Sequence, residues 1–178
     1  MAVPGFDHSI YRPAYSALAD VAQIVYLDHR GNGRGEDGPH AGWNLAQWGD
    51  DVHAFCDVVG VESPIVLGAS FGGMIALAYA TRHPAHPSKL VLISTEAAGA
   101  THRDRRVALF ERFGGAEVGA LALLEDDPIH PIESQADIAA ALPAHLVQFE
   151  RFANCRHAVV PDAPERAMAV IRDFIGRK

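Results

Sequence analysis

Downstream of Asn44 the apolar residues Leu45, Trp48, Val52, Phe55 and Val59 recur at alternating steps of three and four, which places them on one face of a helix. Asn44 is suited to cap its start and Gly60 to end it. The next apolar run, SPIVLGA, is too short for an ordinary helix and rich in β-branched residues, and predicts a strand over 64–69. MIALAYATRHP then reads as a helix over 71–83, stopped by Pro84. KLVLIS predicts a strand over 89–94, ALALL is a short apolar run at 120–124, and HLVQFE predicts a strand over 145–150. Helices are predicted at 101–113, at 133–142 (ESQADIAAAL) and at 164–176 (PERAMAVIRDFIG). Upstream, RPAYSALAD predicts a short helix over 12–20. VAQIVYLD predicts a strand over 21–28, its nearly unbroken apolar second half suiting a sheet covered on both faces. Strands alternating with helices imply a parallel sheet between two helical layers. No repeat, linker or low-complexity tract interrupts the pattern, and 178 residues fit a single domain over 1–178.

Charge narrows the range of partners. Fifteen Lys and Arg against 22 Asp and Glu give a formal net charge of −7, so the overall field repels phosphate backbones and no nucleic-acid partner is expected. THRDRRVALFERF, over 101–113, holds four arginines but interleaves carboxylates with apolar residues at helical spacing, and reads as a solvated helix face. Two cysteines, Cys56 and Cys155, form no CxxC and no paired framework, which fits a reducing cytoplasm. MAVPGFDHS has neither a basic nor an apolar leader segment, and no window approaches a membrane span, so a soluble, cytoplasmic protein is expected.

The candidate chemistry sits where the strand over 64–69 meets the following helix. Gly68-Ala69-Ser70-Phe71-Gly72 fits G-x-S-x-G, a turn that holds its serine in a strained conformation at the carboxyl end of a strand, where α/β sheets bind ligands. The glycines give strand and helix room to approach. The helix behind the turn directs free N–H groups to the same spot, making the Phe71 N–H the natural first oxyanion donor. A serine hydroxyl needs a base and the base needs an acid, in the chain order Ser, acid, His. Among ten histidines, position selects His157, in the loop after the last strand, and Asp126 or Asp127 follow the apolar run at 120–124. Glu96, just past the strand over 89–94, is an outside candidate for the acid.

Other chemistries fit less well. RGNGRG lacks the G-x-G-x-x-G spacing and is followed by Pro39 where a helix should run, so no dinucleotide cofactor is expected. His83 and His86, with His102 nearby, raise the question of a metal. HPAHP is a proline-broken loop without helical i, i+4 spacing or an adjacent acid, so it reads as a solvent-facing loop with no metal. Cys155 reads as a small loop filler. Trp43 or Trp48 can line a pocket, with core packing the default for Trp48.

Taken together, DHRGNGRG, LGASFGG, EDDPIHPIESQADIAAALP and CRHAVVPDAPERAMAVIRDF resemble, in this order, the early loop, nucleophile elbow, acid segment and histidine loop of the α/β-hydrolase superfamily. The likeness is greatest to its proline iminopeptidase and haloperoxidase-like esterase branch. The resemblance implies a three-layer α/β-hydrolase sandwich with Ser70 as nucleophile, Asp127 as acid and His157 as base, and a second oxyanion donor at the Val3 N–H. It also implies early strands and a His-Gly-Gly before PGFDHS, whereas this sequence reads MAVPGFDHS, so a reduced, mainly parallel sheet is expected. The segments at 21–28 and 64–69 then pair directly, or another chain fills the gap, with a homodimer through exposed sheet edges as the implied assembly. The helical cap of that branch has no counterpart between residues 114 and 125. The expectation is therefore a cap-less serine esterase acting on small esters or amides without a cofactor. Prolyl aminopeptidase activity, cofactor-free perhydrolysis and an inactive truncated or engineered scaffold are the alternatives.

Overall fold

The computed structural model describes residues 7–96, 119–125, 138, 147–155 and 157–177. A 3₁₀ turn at His8–Ile10 leads into helix α1 (Arg12–Tyr15), which tightens into a second 3₁₀ turn at Ser16–Leu18. It is followed by α2 (Leu45–Val59), β1 (Ile65–Ala69), α3 (Phe71–Arg82), β2 (Lys89–Ile93), β3 (Gly119–Glu125), β4 (Val147–Phe152), α4 (Val159–Asp162) and α5 (Pro164–Gly176). Asn44 caps α2 by accepting from the Gln47 N–H, and Gly60 closes it in the left-handed region at φ 70°.

The four strands lie in the order β1-β2-β3-β4 and all three ladders are parallel, with Ala69 opposite Ile93 and Ile93 opposite Leu123. Because side chains alternate across a strand, Val66, Leu90 and Leu92 meet α2 and α3 on one face, while Leu67, Ala69, Val91 and Ile93 meet α1, α4 and α5 on the other. The sandwich of helices around a small parallel sheet is thus built as the pattern predicts. Two details fasten it. Gly49 of α2 lies so close to α3 that a Cβ there would stand 2.8 Å from the Tyr79 backbone N. Lys89, at the start of β2, donates to the carbonyls of Phe174 and Ile175 at 3.0 and 3.1 Å and also to that of Arg177, capping the negative end of α5. Among the described residues no helix is long and apolar enough to cross a membrane.

Three expectations are corrected. Residues 21–28 form no strand: the segment joins no ladder, and it does not pair with β1. An apolar cavity of about 280 Å³ separates the two, lined by Leu18, Ile24, Leu27, Val52, Val66 and Leu67 among others. A strand exists only through its partner's hydrogen bonds, and here the partner position is empty of described backbone. The helix expected over 12–20 is broken into α1 and the 3₁₀ turn, and β4 runs two residues past its expected end. The helices expected at 101–113 and, apart from Ile138, at 133–142 lie outside the described residues.

Candidate active site

Ser70 occupies the corner between β1 and α3 with φ 50° and ψ −125°, a conformation that non-glycine residues seldom adopt. Its backbone is held from three directions. Its N–H donates to the Ile93 carbonyl at 2.8 Å, and its carbonyl accepts from the Gly73 N–H at 2.8 Å and from the Thr95 hydroxyl at 2.8 Å. The flanking glycines are dictated by space: a Cβ on Gly68 would lie 2.3 Å from the Gly72 carbonyl oxygen, and one on Gly73 would lie 2.5 Å from Thr95 Oγ1. The strain is therefore sustained by packing around the corner.

His157 reaches the same corner from the loop between β4 and α4, its Nε2 2.9 Å from Ser70 Oγ. The residues are 87 positions apart, and the parallel register brings them together by placing the carboxyl ends of β1 and β4 on one edge of the sheet. Phe71, immediately after the serine, is the first residue of α3, and its ring packs edge-on against Trp48 with centroids 5.3 Å apart. Trp48 is buried, and its indole N–H donates to the Arg30 carbonyl at 3.2 Å. Core packing for Trp48 is thus what the structure contains. Arg30 forks onto Asp51 of α2 at 2.5 and 2.6 Å, pinning the glycine-rich loop to the helix. Trp43 covers Gly31, where a Cβ would meet its ring at 2.5 Å.

The electrostatics of that loop are set by burial. His29 is buried with neither ring nitrogen hydrogen-bonded, and desolvation is the main cause that lowers its pKa to about 4. Burial works to raise the pKa of Asp28, but the His8 ring and the backbone N–H groups of Arg34 and His8 donate to its carboxylate and hold it below its ordinary value.

Of the residues expected from the sequence, Ser70, Phe71 and His157 meet at one site. Val3, Asp126, Asp127 and His102 lie outside the described residues. Glu96 stands three residues beyond β2, at the same edge of the sheet as Ser70. Cys155 packs in the core beside Phe152 and Val159 as a buried thiol. Thr95 and Trp48, which brace the corner, carried no signal beyond their places after a strand and on an apolar helix face. HPAHP is a loop, as expected, but its imidazoles meet acids from elsewhere in the chain: His83 Nε2 lies 2.8 Å from Asp50 Oδ1, and His86 stands beside His53 and Asp57. These acids belong to α2, about 30 positions away, where spacing within one segment cannot reveal them.

A family model of the alpha/beta hydrolase fold matches residues 3–124, so the chain belongs to the α/β-hydrolase fold family. The RutD protein of Caulobacter sp. (strain K31), named as a carbamate hydrolase, is 34% identical over 93 residues, covering 51% of this chain and 34% of its own length. Its namesake from Agrobacterium fabrum is 33% identical over 115 residues, covering 62% of this chain and 44% of its own. The chain spans less than half the length of these curated relatives. Among solved structures, the enol-lactonase from Burkholderia xenovorans LB400 superposes with a TM-score of 0.78 at 16% identity, covering 99% of this chain and 93% of that one, which is a likeness of fold.

Proposed function

We propose that the chain is a serine hydrolase that cleaves small acyl esters through Ser70 and His157. The observation that carries this reading is the 2.9 Å approach of His157 Nε2 to Ser70 Oγ, at a serine held at positive φ on a strand-to-helix corner. In the proposed reaction Ser70 Oγ–H donates to Nε2, His157 takes the proton as Oγ attacks the ester carbonyl, and the imidazolium then protonates the departing alcohol. The Phe71 N–H, at the positive end of α3, receives the oxyanion. Water attacks the acyl-enzyme with His157 again as base, and the acid and serine are released. Asp127, assigned by its register in the acid segment that resembles this family, orients the imidazole and stabilises its charged form; the Val3 N–H is the proposed second oxyanion donor. No step calls for a cofactor.

The kinship with proteins named carbamate hydrolases makes carbamates a second substrate class for the same serine. Ester and carbamate share the planar carbonyl that Ser70 attacks, and rates on matched 4-nitrophenyl esters and carbamates rank them. The first test is labelling by a fluorophosphonate probe. Wild-type protein should label, Ser70→Ala should not, and His157→Ala should label and hydrolyse 4-nitrophenyl acetate more slowly by about 10³-fold or more. Labelling that persists in Ser70→Ala overturns the assignment.

A further inference from the structure

Three imidazoles and two carboxylates gather between α2 and the segment that links α3 to β2, away from the serine. His53 and Asp57 share one face of α2 at i, i+4, with His53 Nδ1 3.0 Å from Asp57 Oδ2. The rings of His83 and His86 lie against His53, with centroids 4.1 and 4.4 Å from it. His83 is engaged elsewhere, its Nε2 on Asp50, which also takes the guanidinium fork of Arg82 at 2.6 and 2.7 Å. His53, Asp57 and His86 remain, and each offers one donor atom within 4.8 Å of the other two.

The geometry points to a divalent transition-ion site of the zinc type, held by His53, His86 and the Asp57 carboxylate, with water completing the coordination. Two imidazole nitrogens and one carboxylate oxygen suit Zn²⁺, Co²⁺ or Ni²⁺ rather than Ca²⁺ or Mg²⁺, which prefer all-oxygen sites. Zinc bonds of about 2.0–2.1 Å in a tetrahedron hold donor atoms roughly 3.3 Å apart, so the three side chains need only a modest inward rotation. All three are at least partly exposed, which leaves them free to make it and gives the ion a way in. The outer shell is already present: His86 Nδ1 is hydrogen-bonded to the hydroxyl of buried Tyr79, which fixes the ring and leaves Nε2 as the ligand.

The site stands at the far end of α3 from Ser70. Twelve residues at 1.5 Å each separate the two by roughly 18 Å. The ion would therefore clamp α2 to the segment entering β2, and take no part in chemistry at the serine. The test uses tag-free protein stripped with chelator and titrated with Zn²⁺ by calorimetry and with Co²⁺ by visible absorption. One ion per chain should bind, with cobalt d–d bands and a raised melting temperature. His53→Ala and His86→Ala should each lose tenfold or more in affinity, Tyr79→Phe should weaken binding by about tenfold, and His40→Ala should match wild type. Asp57→Asn changes an exposed carboxylate without disturbing the core, so its loss of affinity cannot be ascribed to unfolding. Absence of stoichiometric binding, or binding unchanged in both Asp57→Asn and the His53→Ala/His86→Ala double variant, overturns the site.

Discussion

At the residue scale, the clearest conflict between a side chain and its surroundings is His29. Its ring is buried without a hydrogen bond to either nitrogen, and its pKa falls from the ordinary 6.5 to about 4. The fold thus favours the neutral ring, whereas the unfolded chain takes up a proton near pH 6.5. The stabilising contribution is fully present above pH 6.5 and is lost as the pH falls from 6.5 towards 4. At 1.36 kcal/mol per unit it amounts to something on the order of 3 kcal/mol. Urea unfolding of wild type should show a stability decline through that window that His29→Gln flattens; parallel pH profiles for the two proteins would show that His29 is not the titrating group. Little of this was legible beforehand, because a histidine in DHRGNGRG looks like any loop histidine until its burial is seen. Ser70 and His157 were legible, since the glycine spacing around the serine and the place of the histidine after the last strand both follow from backbone geometry that the chemistry requires. The His53, Asp57 and His86 cluster was not, because its members come from α2 and the segment after α3 and share no short motif.

At the scale of elements, the contact between β1 and α3 decides whether the serine is presented at all. Gly68 faces the first turn of α3 so closely that a methyl group would lie 2.3 Å from a carbonyl oxygen and 2.7 Å from the Gly73 Cα. Both obstacles are backbone atoms, which cannot swing aside as a flexible side chain would, so Gly68→Ala must push the helix away from the strand. Overpacking of this kind costs about 1–3 kcal/mol, read as a lower urea midpoint. The Ser70 carbonyl would lose its fit to Thr95 and Gly73, so fluorophosphonate labelling should slow by more than the stability loss explains at temperatures where the variant stays folded. Unchanged labelling and midpoint would mean that the corner yields easily. Helices α2, α3 and α5 and strands β1 and β2 were readable because their signals are local: caps, a 3.6-residue period, a short β-branched run. The segment at 21–28 carries an equally good local signal and still forms no strand, since pairing is a property of two segments and no described segment pairs with it.

At the scale of the whole molecule, the edge of the sheet at β1 is left open among the described residues. The outer edge of β1 has no ladder partner among the described residues, and it faces an apolar cavity of about 280 Å³ whose opposite wall is the extended chain from Ala22 to Leu27. A sheet edge beside apolar side chains is a template for another strand, and the usual safeguards of inward charge or proline are missing from IVLGA. A net charge of −7 opposes association only at long range, and salt screens it. The protein should therefore self-associate through this edge, and more so as ionic strength rises. Light scattering coupled to size exclusion, over a concentration series at low and high salt, measures this directly. Ile65→Lys places a charge at the exposed start of β1 and should shift the population towards monomer, while a lysine at Val58, exposed on α2 away from the edge, should not. A wild-type protein that stays monomeric across the series would mean that the edge is satisfied within the chain, and the cavity would then be a pocket within one molecule and not a seam between two.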